Sequence, residues 1–420
     1  MHRIWAIVAV MSTMTAVVVS ALVTMSTNYD VATVSVGFDP VESAYDSGRG
    51  EVFVSNGCGG NASCIHGGVD VNGSVSVISD STNKVVATIP VGEQPRGVAY
   101  DSGKGEIFVA DFFSYNVSVI NDRTDKVVAT IPVGNYPWGL AYDSGKGEVF
   151  VSVQNTSLPY TSSFVGIISD RTNSLVGTIP VGPGPSDVAY DSGKGEVFVV
   201  IPGSESVIAI SDTSDRVVAT IPVGATPHLE AFDSAKGEDF VVDVTNCTAG
   251  SCGQWSASVI SDTTNTVVAN ISLGSTLSAL FFGIAYDSEQ GELFAANACT
   301  DASCTRGSVS IIDVGTRSVV GTIPLGNENG AFGVTYDSGE GEVFVTNEVS
   351  NSVSVISVGE ASVPVLVGML VTVLAVVSIL FMVHLEEAGG ATESNISSTE
   401  QPPEEVKPVP PRAPRVPPPK

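Results

Sequence analysis

One pattern recurs seven times along this 420-residue chain: G-x-A-Y-D-S-G-K-G-E-V-F-V, then S-V-S-V-I-S-D, then V-V-A-T-I-P-V-G. Its Tyr-Asp-Ser element falls at Tyr45, Tyr100, Tyr142, Tyr190, Phe232 (an aromatic variant), Tyr286 and Tyr336, at intervals of 42 to 55 residues. A period of this size, with four β-type segments per unit, is the signature of a β-propeller with one blade per copy. The repeat constrains the chain more than its length does, since length alone suggests two or three domains.

In the second full unit the short apolar runs are Gly97 to Tyr100, Glu106 to Ala110, Asn116 to Ile120 and Val127 to Val133. Runs this short, rich in Val, Ile, Phe and Thr, predict strands rather than helices. The Asp-Ser-Gly-Lys-Gly turn follows the first strand, where glycine supplies positive φ and aspartate closes an Asx-turn on its own backbone. The polar link Asn121 to Lys126 makes a second hairpin.

The last copy stops early. It has Gly333 to Tyr336, Glu342 to Thr346 and Ser352 to Ile356, but no fourth segment. The missing strand stands instead at the front, as Val31 to Gly37. The seven strand sets are complete only if the N-terminal strand joins the last blade, which closes the ring and removes an open edge. The expected architecture is an all-β, seven-bladed propeller over residues 31–357, large enough to bury a core between stacked sheets.

The flanks read differently. Residues 4–25 are almost wholly apolar after His2 and Arg3. Residues 1–26 therefore read as a secretory signal, with Val19-Ser20-Ala21 as a small-residue cleavage site, or as an uncleaved membrane anchor. Residues 363–385 carry no charge apart from His384 at the edge, and this length predicts a C-terminal transmembrane helix. Lys407, Arg412, Arg415 and Lys420 follow that run and no basic residue lies close before it, so the positive-inside bias puts the tail in the cytoplasm and the propeller outside the cell membrane. The tail, residues 386–420, has nine prolines after Glu400 and is expected to be extended or disordered. Its P-x-x-P matches are more simply read as a solvated spacer than as a peptide ligand.

Six cysteines fall as three close pairs, Cys58 with Cys64, Cys247 with Cys252 and Cys299 with Cys304, each between the second and third strands of its blade. Three local disulfide staples fit an exterior domain; a zinc site is disfavoured because the pairs lie on separate blades. Sequons at Asn61, Asn72, Asn116, Asn155, Asn246 and Asn270 are candidate glycosylation sites.

The formal charge is −27. Between residues 27 and 361 there are 13 Lys+Arg against 39 Asp+Glu, so the acidity belongs to the propeller. Such a domain repels phosphates, and nucleic acid is excluded as a partner. Much of the acidity is the repeat itself, for example Asp101, Glu106 and Asp122, which reads first as turn chemistry and second as a cation-binding face.

In a propeller the turns after the first and third strands share one face, while the second-to-third loops and blade links share the other. Here the first set is uniform and the second varied, and ligands of propellers approach the central opening. The varied face collects Arg96, Tyr136, Trp138, His228, Phe281 and Phe282 from blade links. Its inner loops add Phe112, Phe113, Tyr115, Tyr160, Phe164 and Trp255. As a set these suit a sugar ring or a protein surface; singly, any of them can simply cap a sheet.

Catalytic signals are sparse. The propeller holds only His66 and His228, so a multi-histidine metal centre is not expected, and neither is another cofactor. No G-x-S-x-G elbow, Walker loop or H-E-x-x-H occurs. A hydrolase or lyase pairing His228 with a carboxylate such as Glu230 remains the alternative to a binding protein.

The segments Glu106-Ile-Phe-Val-Ala-Asp and Gly341-Glu-Val-Phe-Val-Thr-Asn, with the S-V-S-V-I and V-V-A-T-I-P-V-G runs, resemble the YVTN β-propeller repeat family. Phe53 and Phe344 stand where the family's naming motif has tyrosine. The resemblance covers residues 31–357. It implies the propeller fold and a surface-layer-like or secreted role; lactonases and streptogramin lyases are related propellers, but no catalytic motif of theirs is present to carry over. The expectation is a membrane-anchored, extracellular propeller that binds a cell-surface protein or glycan, or serves a structural role. A lactonase- or lyase-type enzyme working on a small molecule at the central opening is the alternative.

Overall fold

A computed structural model describes residues 29–60, 71–155, 163–228, 230–245, 254–275, 281–299 and 306–358. These form seven four-stranded antiparallel sheets. Blade 2 shows the plan, with Pro95–Asp101 innermost, then Glu106–Asp111, Asn116–Asn121 and Lys126–Pro132 outermost. The innermost strands of successive blades touch in a closed circle around the axis. The only helix among the described residues is the single turn Pro202–Ser204.

The ring closes as the strand count requires. Tyr29–Ser35 pairs antiparallel with Ser352–Val358 as the outermost strand of blade 7, in a register running from Tyr29 opposite Val358 to Ser35 opposite Ser352. Val34, Val353 and Val355 are buried beneath this joint. Blade 1 is tied to it on the varied face, where Asp39 N–H donates to Asn351 Oδ1 at 3.0 Å.

Burial explains which repeat residues recur. The phenylalanine of E-V-F-V is enclosed between sheets in every blade, as Phe53, Phe108, Phe150, Phe198, Phe240, Phe294 and Phe344. Phe53 of blade 1, for instance, packs with Ile107, Val109 and Ile120 of blade 2. Each such ring contributes roughly 1.5–3 kcal/mol of transfer free energy. The outermost strands face solvent on one side, and their alternation of exposed and buried residues reflects this.

The last residue of F-V-x-N has a polar task. Asn56 Nδ2 donates to Ser74 Oγ and Ser76 Oγ at 3.2 and 3.0 Å, and Asn347 Nδ2 repeats this with Ser352 and Ser354. Blades 2 and 5 place Asp111 and Asp243 there instead. Asp111 accepts from Gly92 N–H of blade 1 at 3.0 Å and from Ser118 Oγ at 2.6 Å.

The segments read as membrane-directed, 1–26 and 363–385, lie outside the described residues, as does the proline-rich tail. Among the described residues no helix is long and apolar enough to cross a membrane.

Candidate functional site

On the uniform face the copied carboxylates serve the fold. Asp101 Oδ1 accepts the N–H of Gly103 and Lys104 at 2.8 and 3.1 Å, an Asx-turn found after the innermost strand in each blade. Gly105 closes the turn at φ +68, and a Cβ there would run into Asp122 Oδ2. Asn173 of blade 3 donates to Glu106 of blade 2 at 3.3 Å, and Lys104 Nζ, 3.6 Å from Glu106, reaches the Asp170 carbonyl of the next blade. Here the axis opens into a cavity of about 510 Å³ walled by Tyr45, Tyr100, Tyr142, Tyr190 and the serines that follow them.

The tyrosines join blade to blade. The Tyr100 hydroxyl lies against the Asp46 carboxylate of the preceding blade, Tyr142 against Asp101 and Tyr190 against Asp143. Burial first, and then the carboxylate, push these phenols well above their ordinary range.

The opposite end of the axis is irregular. Five residues before the aspartate that ends each innermost strand, toward the varied end of the axis, the repeat places Val41, Arg96, Trp138, Ser186, His228, Phe282 and Phe332, one per blade. The next position is glycine in four blades. A Cβ on Gly139 would sit 2.7 Å from the Ser186 carbonyl and 2.8 Å from Asp187 Cα, so the inner strands meet at backbone contact. Hydroxyls fasten the same joint: Ser152 Oγ donates to the Ser186 carbonyl at 2.5 Å, Ser55 Oγ to that of Arg96 at 2.6 Å and Thr346 Oγ1 to that of Val41 at 2.7 Å.

Two aromatic banks stand on this rim. On blades 2 and 3, Phe112 meets Phe113, Tyr136 and Trp138 at centroid distances of 4.9, 5.1 and 5.4 Å, and Tyr115 meets Tyr136 at 5.2 Å. The Arg96 guanidinium carbon lies 4.8 Å from the Trp138 ring centroid and 5.6 Å from that of Phe112. Tyr115 is 41% exposed, and Phe112, Phe113, Tyr136 and Trp138 are half-buried, so the bank remains open to solvent. On blades 5 to 7, Phe282 stacks on Phe332 at 5.0 Å and meets His228 at 5.5 Å. Burial lowers the His228 pKa, which favours its neutral form.

Where four blades have glycine, blades 1 and 4 carry Glu42 and Asp187, and blade 5 carries Leu229. Burial and the Asp187 charge hold Glu42 well above the usual carboxylate range, against the opposing pull of Arg96. A Cβ on Gly333 would sit 3.2 Å from Glu42 Oε2, and one on Gly139 3.0 Å from Asp187 Oδ1, so each carboxylate lies beside the inner strand of a neighbouring blade. Arg96 is in turn desolvated and drawn upon by Asp39, Glu348 and Glu42.

Of the expected set, Arg96, Phe112, Phe113, Tyr115, Tyr136 and Trp138 assemble in the first bank, and His228 and Phe282 in the second. Trp255 is different: only 4% exposed, it belongs to the core with Val244, Ile271 and Leu273, and meets His228 from beneath at 6.1 Å. Phe164 packs on the core of blades 2 and 3. Tyr160 and His66, and the side chains of Glu230 and Phe281, lie outside the described residues.

Cys58 and Cys299 are buried and disulfide-bonded. Cys64, Cys247, Cys252 and Cys304 lie outside the described residues, as do Asn61 and Asn246. Asn72 and Asn270 are exposed; Asn116 and Asn155 are half-buried.

Sequence reasoning missed Glu42, Asp187, Asp39, Glu348 and Phe332. A signal existed for the first two, the departure from glycine in an aligned column (Gly97, Gly139, Gly283, Gly333), but only the alignment of inner strands gives that column meaning.

No protein-family model matches the chain, and neither does any curated protein sequence. Among solved structures it is similar to "Kuenenia stuttgartiensis Hydrazine Synthase", with a TM-score of 0.63 and 18% identity, covering 76% of this chain and 96% of that one. At that identity the likeness speaks to the fold alone.

Proposed function

We propose that this chain is a membrane-anchored, extracellular propeller of the YVTN type that binds a cell-surface protein or glycan at the mouth of its central opening. The observation that carries this reading is the open bank of Arg96, Phe112, Tyr136 and Trp138, a contiguous aromatic surface built from residues that the repeat does not require. Half-buried aromatics beside a guanidinium offer large contact area at small entropic cost and the ring faces that sugars and peptides use. The uniform face, by contrast, spends its polar groups on turns and blade contacts. The apolar flanks at residues 4–25 and 363–385 support membrane tethering, and the three close cysteine pairs support an exterior location.

A screen of glycans and cell-surface proteins with the full-length chain tests the reading. The detected ligand should bind at least about tenfold more weakly to Trp138→Ala, as expected for a central aromatic anchor. Undiminished binding by that variant would remove the rim from consideration.

A further inference from the structure

We propose that Asn270 carries an N-linked glycan whose first sugar rests in a groove between blades 4 and 5. This goes beyond the ligand of the varied rim, and rests on the reading above only for the exterior location.

The repeat supplies the first observation. The outermost strands of blades 1, 2, 3, 4 and 6 carry Thr-Ile-Pro, as Thr88 to Pro90, Thr130 to Pro132, Thr178 to Pro180, Thr220 to Pro222 and Thr322 to Pro324. Blade 5 has Asn270-Ile271-Ser272 in the same column. Both changes, threonine to asparagine and proline to serine, are needed to make a sequon there.

Burial decides among the sequons. Three lie wholly within the described residues, at Asn72, Asn116 and Asn270. Asn116 is committed through Nδ2, which donates to the Ser114 carbonyl at 3.1 Å, and its partner Ser118 is buried against Asp111. At Asn72 the serine of the sequon, Ser74, is buried and accepts from Asn56 Nδ2. At Asn270 the alternation of the outermost strand turns both Asn270 and Ser272 to solvent and buries only Ile271. This sequon alone of the three presents its amide and its hydroxyl together on a folded blade.

The amide is also turned the right way. Asn270 stands opposite Ser258, whose Oγ donates to Asn270 Oδ1 at 2.9 Å. The side-chain carbonyl thus faces the neighbouring strand, and Nδ2 is directed away from it. Beside it lies a groove of about 460 Å³, walled by Ser258, Val267 and Asn270 of blade 5 and by Glu205, Pro222 and Val223 of blade 4. An apolar wall with a few polar groups suits a sugar ring, whose faces are C–H and whose rim is hydroxyl.

The glycan does for blade 5 what proline does for its neighbours. A proline on an outermost strand offers no N–H and blunts the open edge. Ser272 restores that donor, and a bulky solvated sugar two residues away keeps other chains off the edge. The sugar arrives on a lipid phosphate or diphosphate. Nδ2 bonds to its anomeric carbon, the bond from that carbon to the phosphate oxygen breaks, and one amide proton leaves with the released phosphate.

Glycopeptide mass spectrometry of the full-length chain, purified from its native cells, tests the assignment. Asn270 should carry glycan and Asn116 should not. Ser272→Ala should lower occupancy of Asn270 at least about tenfold, and Ser272→Thr should keep it. Amides of Val223 to Ala225 should exchange hydrogen at least about threefold more slowly in the glycosylated protein than in Ser272→Ala. An unmodified Asn270, or glycan on Asn116 instead, overturns the proposal; equal exchange overturns the seat in the groove. An amine reagent that cannot cross membranes, applied to intact cells, separates two failures. An unmodified Asn270 with the exposed Lys84 and Lys126 labelled sinks this inference alone, and unlabelled lysines sink the exterior location with it.

Discussion

The Tyr45 hydroxyl of blade 1 lies against the Asp337 carboxylate of blade 7, so the seam where the chain's two ends meet is joined by the pair that links the other blades. Tyr286 and Tyr336 make the same approach to Asp233 and Asp287, and burial with the nearby carboxylate pushes the Tyr286 phenol up to about 12. One link of the seven is missing. Phe232 stands in the tyrosine position of blade 5, so no phenol hydroxyl answers the Asp191 carboxyl of blade 4, whose pKa burial raises.

Phe232→Tyr should therefore stabilise the ring. The added hydroxyl supplies a donor to Asp191, worth about 0.5–1.5 kcal/mol. Chemical denaturation should show a higher midpoint at unchanged slope; a lower midpoint would mean that the blade 4–5 joint has no room for the oxygen.

Asp111 gives the fold a pH dependence. Burial raises its pKa to about 7, outweighing the donors Ser118 and Gly92. The unfolded chain releases this proton near pH 4 while the native chain holds it, so stability is greatest below about 4, falls as pH rises, and levels off beyond 7. Asp111→Asn keeps the shape and removes the titration. Melting curves from pH 4 to 8 should show a shallower decline for the variant, and parallel curves would contradict the assignment.

The closing strand can be tested through its one buried side chain. Val34→Asp puts a charge under the joint with Val353 and Val355, at a cost of several kcal/mol. Size-exclusion chromatography should reveal self-association through the freed edge of Ser352–Val358. Thr33→Asp, on the exposed side of the same strand, should remain monomeric.

The two tryptophans should behave oppositely. Trp255→Ala empties a core position and should cost about 3–5 kcal/mol of stability. Trp138→Ala, on the open rim, should change the unfolding midpoint far less while weakening ligand binding. Thermal unfolding of both variants in one buffer separates the roles.

The architecture was legible because it is written in period: four strands per copy, and an incomplete last copy that forces the N-terminal strand into blade 7. The boundaries shifted only slightly, the closing strand beginning at Tyr29 rather than Val31. The candidate site was half legible. Arg96, Phe112, Tyr136 and Trp138 stand out because they break the repeat and are aromatic or charged. Trp255 breaks it too, yet its strand, Gln254–Ser261, turns the ring into the core, and nothing in composition separates an inward from an outward indole. Glu42 was hidden for another reason: it stands out only against Gly97, Gly139, Gly283 and Gly333, and that column appears once the inner strands are laid side by side.

The pairing of Tyr29 with Val358 fixes where the chain enters and leaves the ring. Ser352–Val358 runs from the varied face toward the uniform one, and Tyr29–Ser35 returns in the opposite sense. Both flanks therefore depart from a single point on the rim of the uniform face. The two ends of the ring thus meet at the opposite end of the axis from Arg96 and Trp138, and a tag or linker joined at Tyr29 or Val358 starts a full strand length away from the aromatic bank.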